Sequence, residues 1–132
     1  MSNTSYQVEE HEKYLLIRIL VDKLTALHTP NLKAKLSELE GQEVKNIIID
    51  LKQVNYCDSS ALSFILNANR IAKEKDGSMV ICGLQKEVKK LIEISKLDSI
   101  LNITPSLSEA TDYLYMLELE KDLGELDDDV LS

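Results

Sequence analysis

Two continuous apolar runs of strand length, "VKNIIIDL" (residues 44–51) and "SMVICGL" (78–84), constrain this chain more than any other feature. A strand with one wet face alternates apolar and polar side chains. These runs do not, so both of their faces are expected to be covered. The stretch between them supplies part of the cover: after Asp58, residues Ala61, Phe64, Ile65, Ala68 and Ala72 fall on one side of a helix that is expected to stop at Gly77. Strand, helix, strand in this order predicts parallel strands joined by helical crossovers, and so an α/β sheet.

The flanking segments extend the pattern. "SYQVEEHEKYLLIRIL" (5–20) reads as an antiparallel hairpin, one strand ending near Glu9 and the next running from Tyr14 to Leu20 around a polar turn. A loop, "VDKLTALH", leads to a helix with Thr29 as expected N-cap, Pro30 at the first helical position, and Leu32, Leu36 and Leu39 on one face. Gly41 stands where a left-handed residue would end that helix. A third helix has Val88, Leu91, Ile92 and Ser95 on one face, and "SILNITP" is a short strand. Ser106 with Glu109 three residues on forms a capping box for a last helix whose apolar face is Leu107, Ala110, Leu114 and Leu117. The expected organisation is one domain over residues 1–117. The acidic end of the last helix and a tail follow at 118–132, and the tail is expected to fray into solvent unless it docks on a partner.

A chain of 132 residues is long enough to bury a real core. Its net charge of −8 argues against a partner bound through nucleic-acid phosphates. No apolar run approaches the ~20 residues of a membrane span, and the N-terminus lacks the pattern of a secretory signal. Cys57 and Cys82 lie in apolar, strand-like runs where a reduced, buried thiol is expected. The reading is a cytoplasmic protein with no membrane or nucleic-acid partner.

Catalytic equipment is sparse. Phosphate-cradling glycine loops and the nucleophile elbow are absent from the sequence. Of the two histidines, His11 falls in the hairpin turn, whereas His28 precedes the first helix in a loop that would approach Asp58 if both open on one sheet edge. Even then no third group would orient a Ser–His pair. The adjacent Asp127, Asp128 and Asp129 do not have the spacing of a calcium loop, and neither a metal nor a cofactor is expected.

What remains is "VNYCDSSALSFILNANR" (54–70), a strand-to-helix join at the carboxyl end of a strand, where α/β sheets commonly bind ligands and partners. Asp58 or Ser59 suits the N-cap of the following helix, which by itself would explain the residue types. The other reading makes one serine a site of modification.

Residues 47–110 resemble the STAS domain of bacterial anti-sigma factor antagonists. The resemblance rests on Asp58-Ser59-Ser60 at the join, Gly77 after the helix, the "MVICGL" strand and the "KKLIEISKLDSIL" helix and turn. It implies a single STAS domain with a mostly parallel sheet, an N-terminal antiparallel hairpin and helical crossovers. It also implies a non-enzymatic switch. Unphosphorylated, the protein would bind an anti-sigma factor that is also a serine kinase; phosphorylated on Ser59, it would release it, and a serine phosphatase would reset it. Asp58, Ser60, Ala61, Thr25 and His28 are the expected partner-binding residues, with Ser60 as the alternative acceptor. The sequence departs from the family pattern at Ala61 and Ser63, where glycines are usual, and at Thr25, where an acidic residue is frequent. A STAS adaptor or small-ligand module that is not phosphorylated is the alternative, and an enzyme using Ser59 or Cys57 as nucleophile is the third.

Overall fold

The computed structural model describes residues 5–131, with side chains through Gly124; the expectations for the N-terminal four residues and for the Asp127–Asp129 side chains lie outside this range. The chain runs β1 (Tyr6–Glu10), β2 (Leu15–Ile19), β3 (Lys23–Leu24), α1 (Thr29–Glu40), β4 (Ile47–Asp50), β5 (Tyr56–Cys57), α2 (Ser59–Glu74), β6 (Met79–Cys82), α3 (Lys86–Ile94), a 3-10 turn at Leu97–Ser99, β7 (Asn102–Thr104) and α4 (Leu107–Leu131). Five strands form one sheet in the order β1-β2-β4-β6-β7, and β3 and β5 form a separate two-stranded ribbon. The β1–β2 hairpin is antiparallel and every other pairing is parallel.

The apolar runs are covered on both faces, as their composition requires. Leu15, Ile17 and Ile19 of β2, Ile47 and Ile49 of β4, and Met79 and Ile81 of β6 pack with Leu32 and Leu36 of α1, Phe64 and Ile65 of α2, and Val88 and Ile92 of α3. The alternate residues Leu16, Ile48, Val80 and Cys82 meet Ala110 and Leu114 of α4 on the other face. Each large side chain so buried contributes about 1.5–3 kcal/mol before the entropy of ordering is subtracted.

Helix ends depart from the sequence expectation. Thr29 is not the N-cap of α1: the cap is His28, which makes no capping bond through its side chain. The Thr25 carbonyl already accepts from the amides of His28 (2.9 Å) and Thr29 (3.1 Å), so the helix is wound from a preceding turn and Thr29 is buried as its first residue. Gly41 is right-handed, with φ of −83°. The Gly41 amide donates to the Leu39 carbonyl, and the Lys75 ammonium joins it there (3.3 Å) while also donating to the Val44 (3.0 Å) and Gln42 carbonyls beyond the helix.

α2 ends at Glu74, just ahead of the Gly77 expected to stop it, and its left-handed terminator is not the glycine. Asp76 takes that role at φ of 61°. The Asp76 amide bonds the Lys73 carbonyl (3.0 Å) and the Gly77 amide bonds that of Ala72 (2.7 Å), closing a Schellman motif. Gly77 is needed for closeness: a Cβ there would lie 2.0 Å from the Lys45 carbonyl oxygen.

Ser95 caps α3 from an exposed position outside its buried face. The Ser106 hydroxyl accepts from the Glu109 amide (3.2 Å), as one half of a capping box would have it. The acidic segment that follows residue 117 continues the last helix, with α4 helical to Leu131. Part of the reason is tertiary: Glu118 accepts from the Asn46 side chain (3.0 Å) and Lys121 donates to the Asp76 carbonyl (2.6 Å).

Candidate functional site

The site is assembled by the small ribbon. Lys23 and Leu24 lie beside Tyr56 and Cys57, the Asn55 amide donates to the Asp22 carbonyl (2.8 Å), and the Asp58 amide donates to that of Leu24 (3.3 Å). This pairing lays the loop before α1 alongside the start of α2, so the two segments open on one edge of the fold.

Asp58 is the joint between them. Its extended backbone (φ −103°, ψ −174°) ends β5 and aims the carboxylate back over the first turn of α2. Oδ1 accepts from the amides of Ser60 (3.0 Å) and Ala61 (3.2 Å) and from the Ser60 hydroxyl (2.5 Å). Oδ2 accepts from the Ala26 amide across the gap (3.1 Å). Asp58, not Ser59, is therefore the N-cap. The Ser60 hydroxyl above all, then the three amides, hold its carboxyl below the ordinary carboxylate range against the opposing pull of desolvation.

The two serines end up in different conditions. Ser60 is half-buried and its hydroxyl is committed to Asp58. Ser59, the first residue of α2, is exposed, and among the described residues its hydroxyl has no hydrogen-bond partner. Thr25 is half-buried; its hydroxyl accepts from the Leu27 amide (3.3 Å) and shapes the turn that carries Ala26 to Asp58. His28 closes that turn, half-buried, and among the described residues no hydrogen bond joins its ring to either serine. Ala61 is corrected: at 0 % exposure its methyl is in the core, since that position on α2 faces the sheet, and it offers a partner no side-chain contact.

Sequence reasoning missed the apolar residues on the surrounding surface. Leu27 is 80 % exposed in the loop bonded to Asp58, Tyr56 is half-exposed on β5 just ahead of Asp58, and Ile94 is 70 % exposed at the end of α3. Tyr56 and Ile94 line a shallow cleft of ≈ 200 Å³ with Cys57, Leu91, Glu87 and Lys90. A leucine inside the polar loop "KLTALH" was the available signal for Leu27.

Cys57 is a core residue of this join. Burial, with a smaller push from the Asp58 charge, raises its thiol to about 11, and burial together with Asp50 raises Cys82 to about 12. Neither supplies a thiolate at neutral pH.

The chain belongs to the STAS domain family, whose family model matches residues 5–110. It is similar to the anti-sigma F factor antagonist of Paenibacillus polymyxa, 26% identical over 102 residues that cover 76% of this chain and 86% of the relative. It is similar also to the anti-sigma-B factor antagonist of Listeria monocytogenes, 26% identical over 101 residues, 76% of this chain and 89% of the relative. The anti-sigma factor antagonist SpoIIAA, solved in its unphosphorylated form, shares the fold with a TM-score of 0.73 at 22% identity, over 83% of this chain and 96% of its own. The phosphorylated form of that Bacillus protein matches with a TM-score of 0.65 at 23% identity, over 82% of this chain and 97% of its own. The family and the mixed, mostly parallel sheet anticipated from the sequence are thus the ones found, and the relatives are regulators of the anti-sigma antagonist kind.

Proposed function

We propose that this chain is a cytoplasmic anti-sigma factor antagonist switched at Ser59. Unphosphorylated, it binds an anti-sigma factor that is also a serine kinase; phosphorylation of Ser59 releases that partner, and a serine phosphatase restores binding. One observation carries the choice of residue: Asp58 fills the cap of α2 and engages the Ser60 hydroxyl, so the exposed Ser59 hydroxyl is the one left free for a kinase.

The physical basis of release is local. A phosphate adds about −1.5 to −2 charges and three acceptor oxygens. The first-turn amides of Ser60 and Ala61 are already taken by Asp58, so the phosphate would project from the surface instead of recapping the helix. Beside the Asp58 carboxylate it would make a strongly negative spot amid Leu27, Tyr56 and Ile94, the apolar residues that supply contact area for a partner. A surface fitted to a neutral hydroxyl would then meet bulk and an undesolvated charge, and each ~1.4 kcal/mol lost weakens binding tenfold. Thr25 and His28 form the rim on the loop side.

At the Asp58 join itself small-molecule binding has less support, because the neighbouring cleft of ≈ 200 Å³ falls below the roughly 300 Å³ where such sites begin. Among the described residues no helix is long and apolar enough to cross a membrane.

The test is peptide mapping of phosphate on the protein isolated from its host in growth and under stress. Phosphate on Ser59 in one condition and not another is the expected result. Phosphate on Ser60 would transfer the role to the neighbour, and its absence in every condition would overturn the switch.

A further inference from the structure

The last helix carries two apolar stripes, and the fold uses one. Ala110 and Leu114 pack against the sheet, with Leu107 beside them. On the opposite side of α4, Met116, Leu119 and Leu123 are 55%, 57% and 49% exposed. Their spacing, three residues and then four, is that of the a and d positions of a coiled-coil seam, and the sequence continues it with Leu126 and Val130. A helix needing only to cover the sheet has no use for this second stripe, and solvated helix faces are ordinarily polar.

The flanks define what fits on the seam. Glu120 and Asp122 border it in the positions that face a partner's flanks, and in the sequence Asp127 and Asp129 continue both borders. The lysine of this segment, Lys121, is turned to the domain side, where it donates to the Asp76 carbonyl (2.6 Å). Two copies of α4 laid together would set carboxylate against carboxylate, and an anionic lipid surface would be repelled in the same way.

We propose that the outer face of α4 is a docking surface for an amphipathic helix of a partner protein, one whose apolar stripe is bordered by Lys or Arg. This surface lies across the sheet from the helix that begins at Ser59, since α2 packs on one face and α4 on the other. The two surfaces can therefore be occupied independently, and the chain can bring a second protein to the switch.

The test uses the full chain and a labelled synthetic heptad peptide with Leu at its a and d positions and Lys at e and g, read by fluorescence anisotropy. A counterpart with Glu at e and g is the control. The Lys peptide is expected to bind at least about tenfold tighter. The double variant Leu119→Gln/Leu123→Gln, at exposed positions where the unfolding midpoint should hold, is expected to lose about tenfold in affinity for the Lys peptide. Equal binding of both peptides, or binding undiminished in the double variant (attraction by charge alone), would overturn the proposal. So would a dimer in sedimentation at neutral pH that the double variant abolishes, which would assign the seam to a second copy. Ser59→Glu is expected to leave the affinity unchanged, so this result stands apart from the fate of the phosphorylation switch.

Discussion

Asp58→Ala is the most informative substitution, because one carboxylate both caps a helix and ties a loop to it. The side chain accepts four hydrogen bonds: two amides of the α2 first turn, the Ser60 hydroxyl and the Ala26 amide. Losing the cap costs about 1 kcal/mol. Losing a negative charge at the helix N-terminus adds about 0.5 kcal/mol. The Ala26 amide is at an exposed site and water replaces its partner at little cost. The expected loss is about 1.5 kcal/mol, or roughly 5–8 °C in Tm for a chain of this size. Asp58→Asn separates the contributions. It keeps an acceptor over the first turn, as Asn caps about as well as Asp, but sets an NH2 group against the Ala26 amide. It should cost about 0.5 kcal/mol in urea unfolding while speeding hydrogen exchange at Ala26. The pH dependence has a definite sign. The folded carboxyl is held below its unfolded value of about 3.9, so its stabilisation is complete above that value and fades as pH falls through the lower folded one. The gap between wild type and Asp58→Asn should accordingly close in acid. Asp58→Asn as unstable as Asp58→Ala, or Asp58→Ala within experimental error of wild type, would refute the capping account.

Ser59→Glu should abolish capture of the anti-sigma partner while Ser59→Ala retains it and no longer responds to kinase and ATP; a pull-down with both variants checks this, and equal capture would count against the switch. Gly77→Ala should cost about 3 kcal/mol, the upper end of overpacking, because its Cβ would meet the Lys45 backbone and not a yielding side chain; chemical denaturation measures it. Cys57 and Cys82 should resist a thiol reagent in the native state at pH 8 and react on unfolding, since burial holds their thiols near 11 and 12; rapid native labelling of Cys57 would contradict its place in the core.

How much of this was legible in the sequence follows from how local each cause is. β4 and β6 could be read from unbroken apolar runs, and the buried face of α2 from helical spacing, because each pattern lies within its own segment. The β3–β5 ribbon could not: its strands are two residues each, too short for a period, and it exists only where Leu24 meets Cys57 across the fold. The helix ends failed for the same reason. Gly41 looked like a left-handed terminator, but its backbone is right-handed, and the Leu39 carbonyl accepts from the Gly41 and Gln42 amides and from the Lys75 ammonium that follows α2. Asn46 gave no signal at all, yet it is 2 % exposed and joins the Lys13 carbonyl, the Ser78 amide and Glu118.

The Asp-Ser-Ser string posed a choice between a helix cap and a modified serine, and the geometry makes the two roles complementary. Ser59 could have capped α2 in place of Asp58, and a serine spent on the cap would be a poor acceptor. With Asp58 in that position the helix needs neither serine for its first turn, and the Ser60 hydroxyl is drawn into the carboxylate. The proposed phosphate on Ser59 would therefore remove no bond on which the fold depends. Such independence is what a reversible switch at a helix start requires, since a modification that dismantled its own cap would be read by every partner as partial unfolding and not as a change of surface charge.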